Sequence, residues 1–561
     1  MISKGWPTVS AARSVLIAGY MKRLATLLAA ASLVAPLAAC VTEDDAYDGE
    51  TVKSDDGKAD ASALAVFIDM EFSGTLVTDS SWDDTQTIQD QLLYTVGHLN
   101  GNNAVGRTDK VKLTNVTKTT VGGKTQIKYT AVLPVAWRKA NPVPNTYEII
   151  LPLDISSAGQ TAFTAKYKDN CTDPDAHELD ADSMFYYYRP KNSGCTFAAA
   201  DVSRSTATVS PDPIQTTGKF PEYNKIWEDG ALNVVAIFGK FKDGETSNDV
   251  GIDGFNEFIA SMKSELGGHG LTSVPATIPT NPGVATPDVE FNATLADGKK
   301  IHVVALLTDN VNKGLSEPAF RARYESLSTK ADYIVYNGHA GLGSNVRALA
   351  QAGKWVKGQY VVVYMNGCDT FAYIDGALSQ AHKAVNSDDT TGNKYIDIVN
   401  NAMPAFFSSM SGATMSLFRG FLSYDNPQTY EQMLARVDSS QLVLVTGEQD
   451  NTFTPGGGGQ PQAWNGLTDA SGVKKGEVKK YSTPTLAAGT YQFAMTGSSG
   501  DADLYVKIGR EPTAASYDCR PYKTGSNETC EVTLPQSAAV YVQVRGYATA
   551  TSSYKLVGKK L

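Results

Sequence analysis

Apolar residues along this chain change their rhythm twice. Over 62–212 they come in short runs, which predicts strands at 64–72, 110–116, 125–133 and 146–153. Within that stretch Ile88, Leu92, Leu93 and Val96 fall at helical spacing, so 87–99 reads as one amphipathic helix. Tyr186-Tyr187-Tyr188 reads as a further strand. Over 213–450 the runs become continuous, at 232–238, 301–307, 333–336, 360–365 and 441–445. Strands covered on both faces have this pattern. Helical patterns lie between them. Phe255, Phe258, Ile259, Met262 and Leu266 share one face behind Asp253 as a cap, and 317–329 and 345–354 are helical too. Strand, helix, strand in this order predicts a parallel, doubly wound α/β sheet. The glycine run 456–459, flanked by Pro455 and Pro461, marks 451–463 as a linker, because such a segment is entropically costly to order. Beyond it, 464–561 returns to short strands at 478–481, 489–496, 504–508, 529–534 and 539–547, the spacing of a β-sandwich. The expected protein is multidomain: a β-rich α+β domain, an α/β doubly wound domain and a C-terminal β-sandwich.

The amino-terminal stretch breaks this pattern. Met21-Lys22-Arg23 is a basic head, an apolar run follows, and Leu37-Ala38-Ala39-Cys40 places small residues before a cysteine. That order is a secretory signal peptide, 1–39, with Met21 a candidate start. The run is too short for a permanent span and holds Pro36. Small residues before Cys40 resemble the bacterial lipobox, which implies cleavage before Cys40 and its diacylation. Residues 40–61 carry eight acidic side chains against Lys53 and Lys58, too few apolar groups to fold, and read as a solvated tether. The expectation is a lipid-anchored protein of the cell envelope, on the outer membrane or cell surface rather than the inner membrane. Net charge is −10 with no basic block, which argues against nucleic acid as a partner.

Six cysteines sharpen this picture. With Cys40 given to lipid, Cys171 and Cys195 fall together in the first domain, and Cys519 and Cys530 in the last. Four cysteines allow three pairings, of which pairing within each domain is the simplest. Export makes such bridges chemically reasonable. Cys368 is left over in the middle domain.

In the last domain the segments 500–506, 517–522 (Tyr-Asp-Cys-Arg-Pro-Tyr), 528–530 and 541–547 (Tyr-Val-Gln-Val-Arg-Gly-Tyr) resemble the bacterial pre-peptidase C-terminal domain. That family accompanies secreted peptidases and is not itself the catalyst. Asp501 and Asp503 have the chemistry to hold calcium but read as a polar turn, so no cofactor or metal is required.

The resemblance directs attention to nucleophiles. No His-Glu-x-x-His and no Gly-x-Ser-x-Gly occurs, so zincin and serine-hydrolase chemistry lack their motifs. The acid- and amide-rich stretches 248–257 and 386–397 do not keep EF-hand spacing. What remains is a pair of strand ends: Tyr336-Asn337-Gly338-His339-Ala340 and Met365-Asn366-Gly367-Cys368-Asp369. On adjacent parallel strands, about 4.8 Å apart, both would emerge open to solvent at the carboxyl edge, where open α/β folds place their sites. His339 could take the thiol proton, Cys368 could attack a carbonyl, and the backbone N–H groups of Ala340 and Cys368 could receive the oxyanion. An apolar block then His-Gly, and a second then Ala-Cys, is the pattern of the caspase, legumain and gingipain superfamily of cysteine peptidases, which this arrangement resembles. Two positions depart from it. Ala340 stands where glycine is usual, which would forbid a left-handed angle there, and Gly367 stands where alanine is usual, the milder change. The resemblance further implies that Asp309, after the 301–307 run, could select basic side chains of a protein or peptide substrate; His302 and His382 read as structural. The reading is an envelope-anchored cysteine endopeptidase. The alternative is a surface binding or adhesion lipoprotein whose middle domain is a catalytically dead relative.

Overall fold

The structure is a computed structural model, described for residues 60–561 except 63, 80–82, 175, 177–178, 213–216, 375, 439–440, 456–463, 515 and 535–536. Cys40, the signal peptide, nearly all of the tether and most of the linker lie outside the described residues.

The middle of the chain is built on a nine-stranded sheet. Its five inner strands run parallel, in the order Ile396–Asn401, Val361–Asn366, Tyr333–Asn337, Ala231–Gly239, Lys300–Thr308. Val443–Thr446 and Asp60–Ala61 close one side antiparallel, and Asp288–Thr294 and Thr272–Val274 close the other. The continuous apolar runs have their cause in two buried layers. Val335 and Val362 face the layer formed by Phe255, Ile259 and Met262 of the helix Val250–Leu266 and by Phe418 and Phe421 of Phe407–Leu422. Ile334, Tyr336 and Val363 face the opposite layer, with Leu315, Tyr324, Leu349 and Leu378. Successive strand residues point to opposite faces, so two covered faces demand apolar side chains at every position.

Several elements differ from expectation. The cap of Val250–Leu266 is Asp249, whose Oδ1 accepts from Gly251 N and Ile252 N; Asp253 sits in the first turn. The Ile396–Asn401 strand was hidden by its polar Asp397, Asn400 and Asn401, and Val443–Thr446 joins it antiparallel rather than parallel.

The first domain is an antiparallel sheet in which Ala65–Thr78 pairs Lys124–Arg138 along its whole length. Lys112–Val121 turns into Lys124–Arg138 through Gly122 and Gly123, both at positive φ, the conformation a two-residue hairpin needs. The expected helix is two, Asp84–Leu92 and Tyr94–Asn100. Tyr186-Tyr187-Tyr188 is not a strand: Met184–Tyr187 forms one helical turn. All three tyrosines are buried, which an alternating strand with one solvated face would not allow.

The last domain packs a four-stranded sheet (Leu467–Val473, Ser552–Lys560, Gly489–Thr496, Glu528–Leu534) on a three-stranded one (Val478–Ser482, Val540–Gly546, Ala502–Ile508). Phe493, Leu504, Val542 and Leu556 fill the space between them.

Candidate active site at the carboxyl edge of the central sheet

Strand register sets the site. Asn337 and Asn366 are paired across two adjacent parallel strands, and His339 and Cys368 each lie two residues beyond. Gly338 N donates to Asn366 O at 3.2 Å, so pairing continues past the strands. A Cβ built on Gly367 would meet Gly338 O at 2.8 Å and Ala340 N at 3.2 Å. The two segments therefore touch backbone to backbone, with nothing between them.

Beneath them runs a buried amide ladder that sequence reasoning missed. Asn366 Nδ2 donates to Asn337 Oδ1 at 2.8 Å, and Asn401 Nδ2 donates to Asn366 Oδ1 at 2.8 Å. Thr414 and Tyr364 hydroxyls add bonds to Asn337 and Asn401. Buried amides must be paired, and a paired row across three strand ends locks their heights. The available signal was an asparagine after each of the apolar runs 333–336 and 360–365; Asn401 closes a strand whose polar residues hid it.

His339 is 9% exposed and held from three sides. Its Nε2–H donates to Phe241 O at 2.8 Å, Asn345 Nδ2 donates to its carbonyl at 2.7 Å, and the rings of Phe241 and Phe407 lie 5.6 and 5.2 Å away. Cys368 forms no disulfide, and its Sγ lies 3.7 Å from Ala405 O. These polar partners stand on opposite flanks: Phe241 follows the Ala231–Gly239 strand, and Ala405 follows Ile396–Asn401.

Two expectations change here. Ala340 has φ −71° and ψ −30°, ordinary for alanine, and the left-handed angle falls on Gly341 at φ 56°. The departure at position 340 thus costs the backbone nothing. Position 367 is the demanding one, because the strand ends approach too closely for a methyl.

Nor is the site open to solvent: Cys368 is only 6% exposed. The cause is the first domain, whose core is continuous with Ala340, Cys368 and 371–374. Phe371 lies 6.4 Å from the Phe67 ring and 5.0 Å beneath the Arg107 guanidinium, and Thr108 Oγ1 donates to Ala372 O. Asp369, in a left-handed conformation, accepts from Asn100 Nδ2 at 2.8 Å. Burial pushes its carboxyl up to about 7, with hydrogen bonding from Asn100 opposing.

Asp309 reaches the same edge with its charge already met. Lys240 Nζ and Lys313 Nζ donate at 2.7 and 2.6 Å, and Gly244 N at 3.1 Å. Burial would raise its carboxyl, but these bonds outweigh it and hold it at about 2. Asp309 ties down the loop carrying Phe241, and so acts on His339 at one remove. His382 is buried against Trp355, as a structural histidine would be, while His302 lies against Glu290, partly exposed. Among the described residues no group of three His, Cys, Asp or Glu converges as a metal ligand set.

The Cys171–Cys195 bridge is formed in the first domain. Residues 477–546 match the family model of the bacterial pre-peptidase C-terminal domain. The last domain is a pre-peptidase C-terminal domain. Alkaline serine exoprotease A of Vibrio alginolyticus is 42% identical over 84 residues, 15% of this chain and 15% of that protein. A zinc metalloprotease of Helicobacter pylori is 39% identical over 82 residues, 15% of this chain and 32% of the relative. The chain thus spans a third or less of these curated relatives. Among solved structures, that of vEP C-ter 100 is 33% identical, covering 17% of this chain and 95% of the other, with a TM-score of 0.15. The pre-peptidase C-terminal domain of a Bacillus anthracis collagenase is 13% identical, over 18% and 100%, also with a TM-score of 0.15. Within this pre-peptidase C-terminal domain, Cys519, beside Val506 of one sheet, is bridged to Cys530 of the other. Asp503 is not in a turn: it is buried within the Ala502–Ile508 strand and pairs with Arg520 at 2.9 Å, while Asp501, just before that strand, accepts from Gly525 N.

Proposed function

We propose that the middle domain is a caspase- and gingipain-like cysteine endopeptidase acting on protein or peptide substrates, with His339 and Cys368 as its dyad. The observation that carries this reading is their equal height on adjacent parallel strands, together with the hydrogen bond from His339 Nε2 to Phe241 O. A ring that donates through Nε2 presents Nδ1 as the basic nitrogen, and the carbonyl is the third group that orients a catalytic base. Cys368 Sγ, after passing its proton to His339 Nδ1, attacks the scissile carbonyl carbon. The C–O π electrons move to oxygen, where N–H groups of Ala340 and Cys368 would receive them. Collapse expels the amine, which takes the proton back from His339, and water then releases the acyl group from sulfur. The pre-peptidase C-terminal domain supports a peptidase setting, since the relatives it matches are named proteases. Cys40 would carry the lipid that anchors the protein in the envelope, with 41–61 as its tether.

Turnover of a fluorogenic peptide library and labelling by a thiol-reactive peptide probe test the dyad. Cys368→Ala should abolish both, and His339→Ala should remove most turnover, because dyad members act as a unit. Turnover that survives Cys368→Ala sinks the reading. The burial of Cys368 under the first domain favours the second reading, a non-catalytic surface lipoprotein with a degenerate peptidase-like domain. A wild-type protein inert to the probe would support it.

A further inference from the structure

The acid- and amide-rich stretch 386–397 fits no EF-hand, and the proposed dyad makes no use of it. It lies at the opposite, amino edge of the sheet, before the Ile396–Asn401 strand. The turn Glu448–Asp450 meets it there, directly after Val443–Thr446, whose end pairs with the start of that strand.

Asp389 and Asp450 face each other across one hydroxyl. Thr391 Oγ1 lies 3.1 Å from Asp389 Oδ1 and 3.5 Å from Asp450 Oδ2. A threonine hydroxyl has a single proton and can satisfy one of them at a time. Asp389 is 3% exposed; its Oδ1 also accepts from Thr391 N at 3.1 Å and Gly392 N at 2.7 Å, while its Oδ2 is buried with no hydrogen-bond partner, as is Oδ1 of the half-buried Asp450. Asn393, 1% exposed, has its Nδ2 unpartnered while its Oδ1 takes a bond from Ser379. Turned about its amide, Asn393 would donate to Ser379 and offer an oxygen instead. No basic side chain forms an ion pair with either aspartate among the described residues. Lys219, whose charge reaches Asp450, spends its hydrogen bond on Asn451 O, and Lys394 pairs with Asp388. Burial first, and the charge of Asp389 behind it, raise Asp450 to about 6.

A buried and a half-buried carboxylate, each with one orphan oxygen, stand here with no cation between them, and a charge taken out of water without a partner is costly. A water would hydrogen-bond the oxygens but leave the charges facing each other. We infer that Asp389 and Asp450 hold a hard divalent cation of the calcium class, completed by neutral oxygens of this loop and by water. Calcium takes about 6–8 oxygen ligands, many of them carbonyls and waters, so two carboxylates suffice for a weak site. The ion would pin the 386–395 loop to the 448–450 turn, at the edge where the tether enters the sheet through Asp60–Ala61. It stands apart from the dyad and does not depend on it.

The test uses the otherwise full chain carrying Cys40→Ser, stripped with chelator and titrated with calcium chloride alone by calorimetry and thermal melting. The wild-type sequence at Asp389 and Asp450 should bind calcium and melt about 5–10 °C higher at a hundredfold excess over the dissociation constant. Asp389→Asn should lose that equivalent and its shift, yet melt no lower than the stripped parent, because it removes one of two repelling charges. Asp501→Asn, in the last domain, should keep both. A flat titration of the parent overturns the site, as does an Asp389→Asn protein that responds like the parent. Should Asp389→Asn fail to fold, Asp450→Asn decides by the same readouts.

Discussion

Replacing Gly367 by alanine adds one methyl between two strand ends that already touch. The added Cβ would lie 2.8 Å from Gly338 O, 3.2 Å from Ala340 N and 3.3 Å from Ala340 Cα. All three are backbone atoms, so no rotamer change relieves the clash; one segment must move. Overpacking of this kind costs about 1–3 kcal/mol. For a unit of 150–250 residues each kcal/mol lowers the melting temperature by roughly 2–4 °C, so the α/β transition should fall by about 2–12 °C. Scanning calorimetry of the Cys40→Ser protein reads this directly. Because the displaced segment carries His339, native-state alkylation of Cys368 should also change rate. Ala340→Gly is the matched control: at φ −71° alanine is unstrained, and glycine should cost about 0.4–1 kcal/mol through the unfolded chain. A Gly367→Ala protein melting within about 1 °C of its parent would refute the close approach, and so the register that aligns the candidate dyad.

Mass mapping without reduction should show Cys171–Cys195 and Cys519–Cys530, with Cys368 alkylated only; removing the first bridge by double serine substitution should cost the first domain about 3 kcal/mol. Asp369 is held above its unfolded value of 3.8, so the folded chain binds the extra proton. Its contribution to stability is full below about pH 4 and lost as pH rises through 7. Asp369→Asn, which tolerates the left-handed backbone, should therefore gain on the parent in urea melts between pH 4 and 7 and hold that gain above; a difference constant over pH 4–8 would contradict the buried carboxyl. Cys40→Ser should move the protein from the membrane to the soluble fraction, and a variant still wholly membrane-bound would end the lipobox reading.

The first domain changes what the middle one can do. Its core runs into the segment after Cys368 without interruption and Cys368 is itself buried, so alkylation of the thiol should wait on opening of that joint. Labelling rates in mild denaturant, compared with the unfolding of each domain, would report how the joint and the site are coupled.

Local pattern alone determined a good deal of this protein. Continuous apolar runs, separated by apolar residues at helical spacing, marked the alternation of elements in the middle domain, since a strand covered on both faces has no polar position to spare. The motifs at 500–506 and 541–547 marked the last domain, and proximity along the chain paired its cysteines. Patterns failed where a polar residue served the interior. Asn401 disguised a central strand because it bonds to the buried amides of Asn366 and Gln441, and the tyrosines at 186–188 disguised a helical turn. What only the tertiary structure decided concerns long-range approach. That His339 and Cys368 share a height depends on strand register, that Gly367 excludes a methyl depends on its neighbour's backbone, and that Asp309 is spent on Lys240, beyond its near neighbour Lys313, depends on a loop 69 residues away. The burial of Cys368 depends on a domain whose Asn100 lies 269 residues from Asp369. Contacts of this kind are set by the packing of whole elements, and no window of sequence contains both partners.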